Sequence, residues 1–133
     1  MKYLILAYGN QQDYDHLGGK DGAEPAATPA EMAAIDEFLA GFTGALAESG
    51  ELVDTQGLAA PVLARRLDLR DGAPVVTDGP FGETEEVIAG YWMVDCASID
   101  RATEIAAGLL TAPGRLSEAG VVVRPVMGAE SDV

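Results

Sequence analysis

Few side chains in this sequence have both the type and the setting to do chemistry. His16 is the one histidine and Cys96 the one cysteine. Histidine exchanges protons near neutral pH and is the usual first choice for general acid/base work. Asp78 opens the tetrapeptide Asp-Gly-Pro-Phe within "TDGPFGETEE" (77–86), and it would serve as a second proton-transfer group if Phe81 and Trp92 enclosed it and stripped water from it. His16 and Asp78 are therefore the candidate catalytic residues. Tyr8, Gly79, Pro80, Phe81 and Trp92 are the candidate ligand-binding residues of the same cleft. The competing reading of the tetrapeptide is structural: Asp78 accepts backbone N–H bonds in an Asx turn and Phe81 plugs the core.

Other chemistries find less support. A nucleophilic serine or cysteine needs a base within about 3 Å, and Ser49 and Ser98 fall at helix boundaries while Cys96 ends an apolar run. That cysteine reads as a buried, inert thiol. Asp13, Asp15 and His16 in "DYDH" offer metal-ligating atoms without a second cluster, so no metal is assigned. There is no Walker loop and no G-x-G-x-x-G after a strand, and no cofactor is implied.

The charge balance narrows the partners. With 22 acidic against 8 basic residues the formal net charge is −14, a surface that repels phosphate backbones and anionic lipid; neither nucleic acid nor membrane is an expected partner. "MKYLILAYGN" is too short an apolar run for a signal segment or a membrane span, and the expected location is cytoplasmic.

The elements that must position these residues follow from periodicity. "KYLILAY" is a continuous apolar run, the pattern of a strand buried on both faces. Residues 9–27 lack periodicity and read as a long loop carrying His16. Thr28, Pro29 and Glu31 form a T-x-x-E start signal for a helix in which Met32, Ile35, Phe38, Leu39, Phe42 and Leu46 make an apolar stripe, with Gly50 as its stop. "ELVDTQGLA" is a short strand. "LARRLDLRDGAPVVTDG" alternates and turns at Asp71-Gly72, as a hairpin does. "VIAGYWMVDC" is a second run of central-strand type, and its Gly90 permits close backbone approach. Ser98 caps a second helix with the stripe Ile99, Ala102, Ile105, Ala106, Leu109 and Leu110, ended by Pro113-Gly114. "GVVVRPVM" is the last strand, placed at an edge by Pro125. One domain is expected over residues 1–127, with a frayed tail at 128–133.

Without the hairpin the order is βαββαβ, an α+β, ferredoxin-like split-βαβ plan whose first and third strands are central. Two helices cover one face of such a sheet. Either Leu4, Leu6 and Tyr8 or Tyr3, Ile5 and Ala7 would stay on the other, with Trp92 and Val94 or Tyr91 and Met93. A bare apolar face of that size calls for a cover, and a homodimer packed face to face is the expected one.

"MKYLILAYG", "RDGAPVVTDGPFGETEEVIAGYWMVD" and "VVVRPVM" together resemble the YCII-related (YciI-like) DGPF-domain family over nearly the whole chain, most weakly at 10–27. The resemblance implies a dimeric α+β barrel without an established activity, in a family often encoded near extracytoplasmic-function sigma factors. For the more distant YciI branch it implies a His and Asp pair in a cleft; here no histidine falls in a predicted helix or strand. Three readings follow: a small-molecule binding or accessory module, favoured; a small isomerase- or hydrolase-type enzyme using His16 and Asp78; and an interaction partner in a sigma-factor pathway.

Overall fold

The structure, a computed structural model, describes residues 1–18, 27–82, 85–114 and 118–128. Glu83, Thr84 and all of the expected tail except Gly128 lie outside the described residues. The elements run β1 (Lys2–Gly9), α1 (Gln11–Gly18), α2 (Pro29–Ser49), β2 (Leu52–Gly57), β3 (Arg65–Arg70), β4 (Ala73–Asp78), β5 (Val87–Asp95), α3 (Ile99–Ala107) and β6 (Val121–Pro125). A 3-10 turn at Pro61–Leu63 precedes β3, and another at Gly108–Thr111 prolongs α3.

Four strands form one sheet in the order β2-β5-β1-β6, antiparallel at every pairing. The two strands with continuous apolar sequence, β1 and β5, are its centre, as the split-βαβ plan requires. The sheet is open within one chain. Its side-chain parity is settled by burial: Tyr3 and Ile5 on β1 and Trp92 and Val94 on β5 face the helices and form the core with Leu46, Ala102, Ile105, Ala106 and Leu109. Leu4, Leu6, Tyr91 and Met93 therefore take the other face.

A polar contact pins the core to α2. Trp92 donates its indole N–H to Thr43 Oγ1 (3.0 Å) and meets Phe42 edge-on, ring centroids 5.2 Å apart. That arrangement satisfies the buried donor while the ring fills the space between sheet and α2.

Helix α2 starts and stops as its sequence directs: the Thr28 hydroxyl accepts from Glu31 N (3.1 Å), and Gly50 closes the helix at φ +80°. Only half of the capping box forms, because the Glu31 carboxylate turns to His16 instead of back to Thr28. In α3, Ser98 caps by accepting from Arg101 N (3.1 Å). Ile99 and Leu110 leave the expected stripe and are about half exposed; the tighter 3-10 winding after Ala107 carries Leu110 off the buried face.

The expected loop at 9–27 is corrected in its first half, where α1 occupies Gln11–Gly18. Residues 19–26 lie outside the described residues. Its start is a reciprocal box: Asn10 Oδ1 accepts from Asp13 N (2.9 Å), and Asp13 Oδ2 accepts from Asn10 N (3.0 Å). The hairpin forms as expected, β3 with β4, turning through Asp71 (φ +50°) and Gly72 (φ +79°), the pair of positive angles a two-residue primed turn needs. It stands as a separate two-stranded sheet.

Candidate functional site

Helix α1 closes over one end of the sheet. Gln11 is buried, its Oε1 accepting from Val62 N (2.9 Å) while its Nε2 donates to Asp15 (2.9 Å). One turn on, the Tyr14 hydroxyl donates to Leu58 O (2.8 Å). These two bonds fasten α1 to the segment that follows β2. Beneath the helix lies a cavity of about 190 Å³ lined by Tyr8 and Gly9 of β1, Asp13, Tyr14 and Leu17 of α1, Ile35 of α2, Leu58 and Ala89. Burial, and the negative charge of Asp13 beside it, raise the Tyr14 hydroxyl pKa above its ordinary value, so the group remains a neutral phenol.

His16 is buried on the same helix, and its Nε2 lies 3.0 Å from Glu31 Oε1. The pair ties α1 to the first turn of α2. A side chain at Gly114 would meet the same carboxylate oxygen at 2.8 Å, so the turn after α3 closes in on Glu31 as well. An imidazole with a carboxylate on one nitrogen has a fixed ring orientation, the arrangement used both to hold helices together and to carry protons. Asp13 and Asp15, neighbours of His16 in sequence, have their own bonds to Asn10 and Gln11. Among the described residues no group of three or more His, Cys, Asp or Glu side chains is placed to hold a metal ion.

Asp78 sits elsewhere. It ends β4 with its side chain 78% exposed, 3.4 Å from Arg65 Nε. The enclosure by Phe81 and Trp92 that acid/base work would require is not formed: Trp92 is in the core behind the sheet, and Asp78 is in water. Gly79 is fitted tightly. Its N–H donates to Ala64 O (2.9 Å), and a Cβ there would overlap the carbonyl oxygen of Pro61. The Gly79–Pro80 bond is cis. Pro80 and Phe81 line an open depression with Arg66, Asp68, Leu69, Arg70 and Thr77.

The expected ligand-binding residues are thus divided. Tyr8 lines the cavity beneath α1, Pro80 and Phe81 the open depression, Gly79 packs on Pro61, and Trp92 belongs to the core. Sequence reasoning weighed Asp13 only as a metal donor, and it missed Tyr14, Leu17 and the partnership of His16 with Glu31. The signal that would have found them is Asn10-x-x-Asp13, an N-cap pair, followed by Tyr14 and Leu17 at helical spacing.

The chain is 38% identical over 65 residues to an uncharacterized protein of Rhizobium meliloti (strain 1021), a match covering 49% of this chain and 52% of the relative. The chain spans about half the length of the curated relative it matches. The family model described as the YCII-related domain matches residues 1–126, and the chain belongs to that family.

Proposed function

We propose that the protein is a small-molecule binding module, with the cavity beneath α1 as its site. The carrying observation is that one short helix, anchored by Gln11 and Tyr14, roofs a mostly apolar cavity of about 190 Å³ with a single carboxylate, Asp13, among its described lining residues. Ligand sites are typically apolar chambers with few, placed polar groups. A space near 150 Å³ takes a benzene ring, so this one suits a single-ring solute. Calorimetric titration of one-ring solutes should show saturable binding. Gly9→Ala, whose methyl would sit 3.5 Å from Ala89 Cβ, should weaken it, and the bulkier Gly9→Val should abolish it. Saturable binding unchanged in both variants would remove the cavity as the site.

A proton-transfer enzyme is the second reading, and the His16–Glu31 contact is what favours it. It differs from the His16 and Asp78 pairing expected from sequence by drawing its acid from α2. Asp78 stands apart on the hairpin with Arg65.

The module works as a homodimer in this reading. Leu4, Tyr91 and Met93 on the open sheet face are half-buried and Val122 is exposed, while the hairpin presents Leu67, Leu69 and Val76 to solvent. Face-to-face packing of two sheets would cover the first set and complete a dimeric α+β barrel.

A further inference from the structure

We propose that the β3–β4 hairpin is a contact surface for a second copy of this chain, the two ribbons packing face to face about a two-fold axis that runs along them. The strand register sorts the hairpin's side chains into two unlike faces. Leu67 stands opposite Val76, Leu69 opposite Pro74 and Arg65 opposite Asp78, so these six share one face. Arg66, Asp68 and Arg70 share the other with Thr77, Val75 and Ala73. The first face is apolar except at its base, and water reaches it: Leu67 is 65% exposed, Leu69 76% and Val76 56%. A two-stranded ribbon needs a second layer to be stable in water. A like ribbon laid on this face, at the spacing of about 10 Å usual for packed sheets, supplies one.

Charge selects the occupant. The chain carries a net −14, so two copies repel one another over most of their surface. The hairpin is the exception: Arg65, Arg66 and Arg70 balance Asp68, Asp71 and Asp78, and the ribbon is formally neutral. A basic protein of another kind would be drawn to the acidic body instead of this face. The face is also complementary to itself. A two-fold axis along the ribbon lays β3 of one copy over β4 of the other and keeps each row of the register. Leu67 then meets the partner's Val76, Leu69 the partner's Pro74 and Arg65 the partner's Asp78. Within one chain Arg65 Nε and Asp78 Oδ1 are 3.4 Å apart at the base of the ribbon, and across the axis each charge again faces its opposite. Both bodies lie at the same end of the ribbons, so this contact and the sheet-face pairing fit in one dimer, while neither depends on the other.

Mixing two charge variants separates a contact between copies from the ion pair within one. Arg65→Asp leaves acid at both base positions, and Asp78→Arg leaves base at both. Each alone should dimerise about tenfold more weakly than wild type in sedimentation equilibrium, because like charges then face each other across the axis. An equimolar mixture should regain the wild-type constant, since the mixed dimer restores both cross-axis pairs. A mixture as weak as its components confines the pair to one chain and overturns the proposal. Crosslinking reads the apolar part. In a Cys96→Ser background, a short bismaleimide at micromolar protein should join Leu67→Cys chains into a covalent dimer and leave Thr77→Cys, on the polar face, monomeric. Equal yields at the two positions signal collision and overturn the ribbon contact. Leu4→Cys in the same background reports on the sheet face: crosslinking there with none at Leu67→Cys overturns the ribbon contact and leaves the sheet pairing standing, and the converse keeps the ribbon contact alone. No crosslinking at either position overturns both.

Discussion

Glu51 is gripped at both oxygens: Arg101 donates through Nε (2.9 Å) and Nη2 (2.8 Å), and Ser49 Oγ adds a third bond (2.8 Å). Those hydrogen bonds, the arginine's above all, hold the carboxyl at about 2, against an ordinary 4.5. A folded-state value below the unfolded one stabilises the fold above about pH 4.5 and loses that contribution as pH falls towards 2. The effect is modest, because the Arg101 side chain is 43% exposed and water screens the pair. Melting temperature followed from pH 6 to 2 should show wild type ahead of Glu51→Gln at the upper end and the two converging at the lower. Gly79 makes a sharper residue-scale case. Its missing side chain is what lets the chain pass Pro61, so Gly79→Ala should cost about 1–3 kcal/mol in a denaturant titration, the usual penalty for overpacking. Asp78, beside it and exposed, should tolerate Asn with a change within about 0.5 kcal/mol. The glycine, more than the aspartate, makes the tetrapeptide demanding.

At the scale of elements, α1 decides the site and was the hardest to read. Its sequence is polar, with Gln11, Gln12, Asp13, Asp15 and His16 in one short run, and at eight residues it is too short to be stable alone. It is held by the Asn10–Asp13 box, the one local signal of its start, and by Gln11 and Tyr14 bonding to backbone far along the chain, contacts that no local pattern announces. Asn10→Ala should therefore lower stability by about 1 kcal/mol and raise amide exchange in α1 before the sheet loosens, a sequence readable by hydrogen exchange. Strands β1 and β5 were legible for the opposite reason: central in the sheet, with one face in the core and the other half-buried, they are apolar along most of their length, and that leaves a mark in sequence. The parity of those strands was not legible, since both faces are apolar; only the helices' positions assign Trp92 to the core and Tyr91 to the open face. Without that parity Trp92 and Tyr8 looked like neighbours in one cleft.

For the whole molecule, exposed apolar surface is the unresolved energy. Leu63, Leu67 and Leu69 are 65–76% exposed, and a two-stranded ribbon without a layer beneath it is marginally stable in water. The open sheet face is better covered than its sequence implies, with Leu6 only 5% exposed. Sedimentation at micromolar concentration should give a dimer, and Leu4→Glu on the sheet face should shift it to monomer if that face is the contact; a dimer unaffected by Leu4→Glu and lost on Leu69→Glu would put the contact on the hairpin. No described helix is long and apolar enough to cross a membrane.

The bond from Gly79 N to Ala64 O (2.9 Å) joins the two ends of the hairpin where it meets the body. The ribbon therefore leaves and returns through one closed gate, and its length and tip are uncoupled from the register of β1 with β5. A fold with such a gate can accept foreign sequence: a peptide epitope grafted between Asp71 and Gly72 should leave the near-ultraviolet signal of Trp92 unchanged, which makes the tip a place for a designer to build.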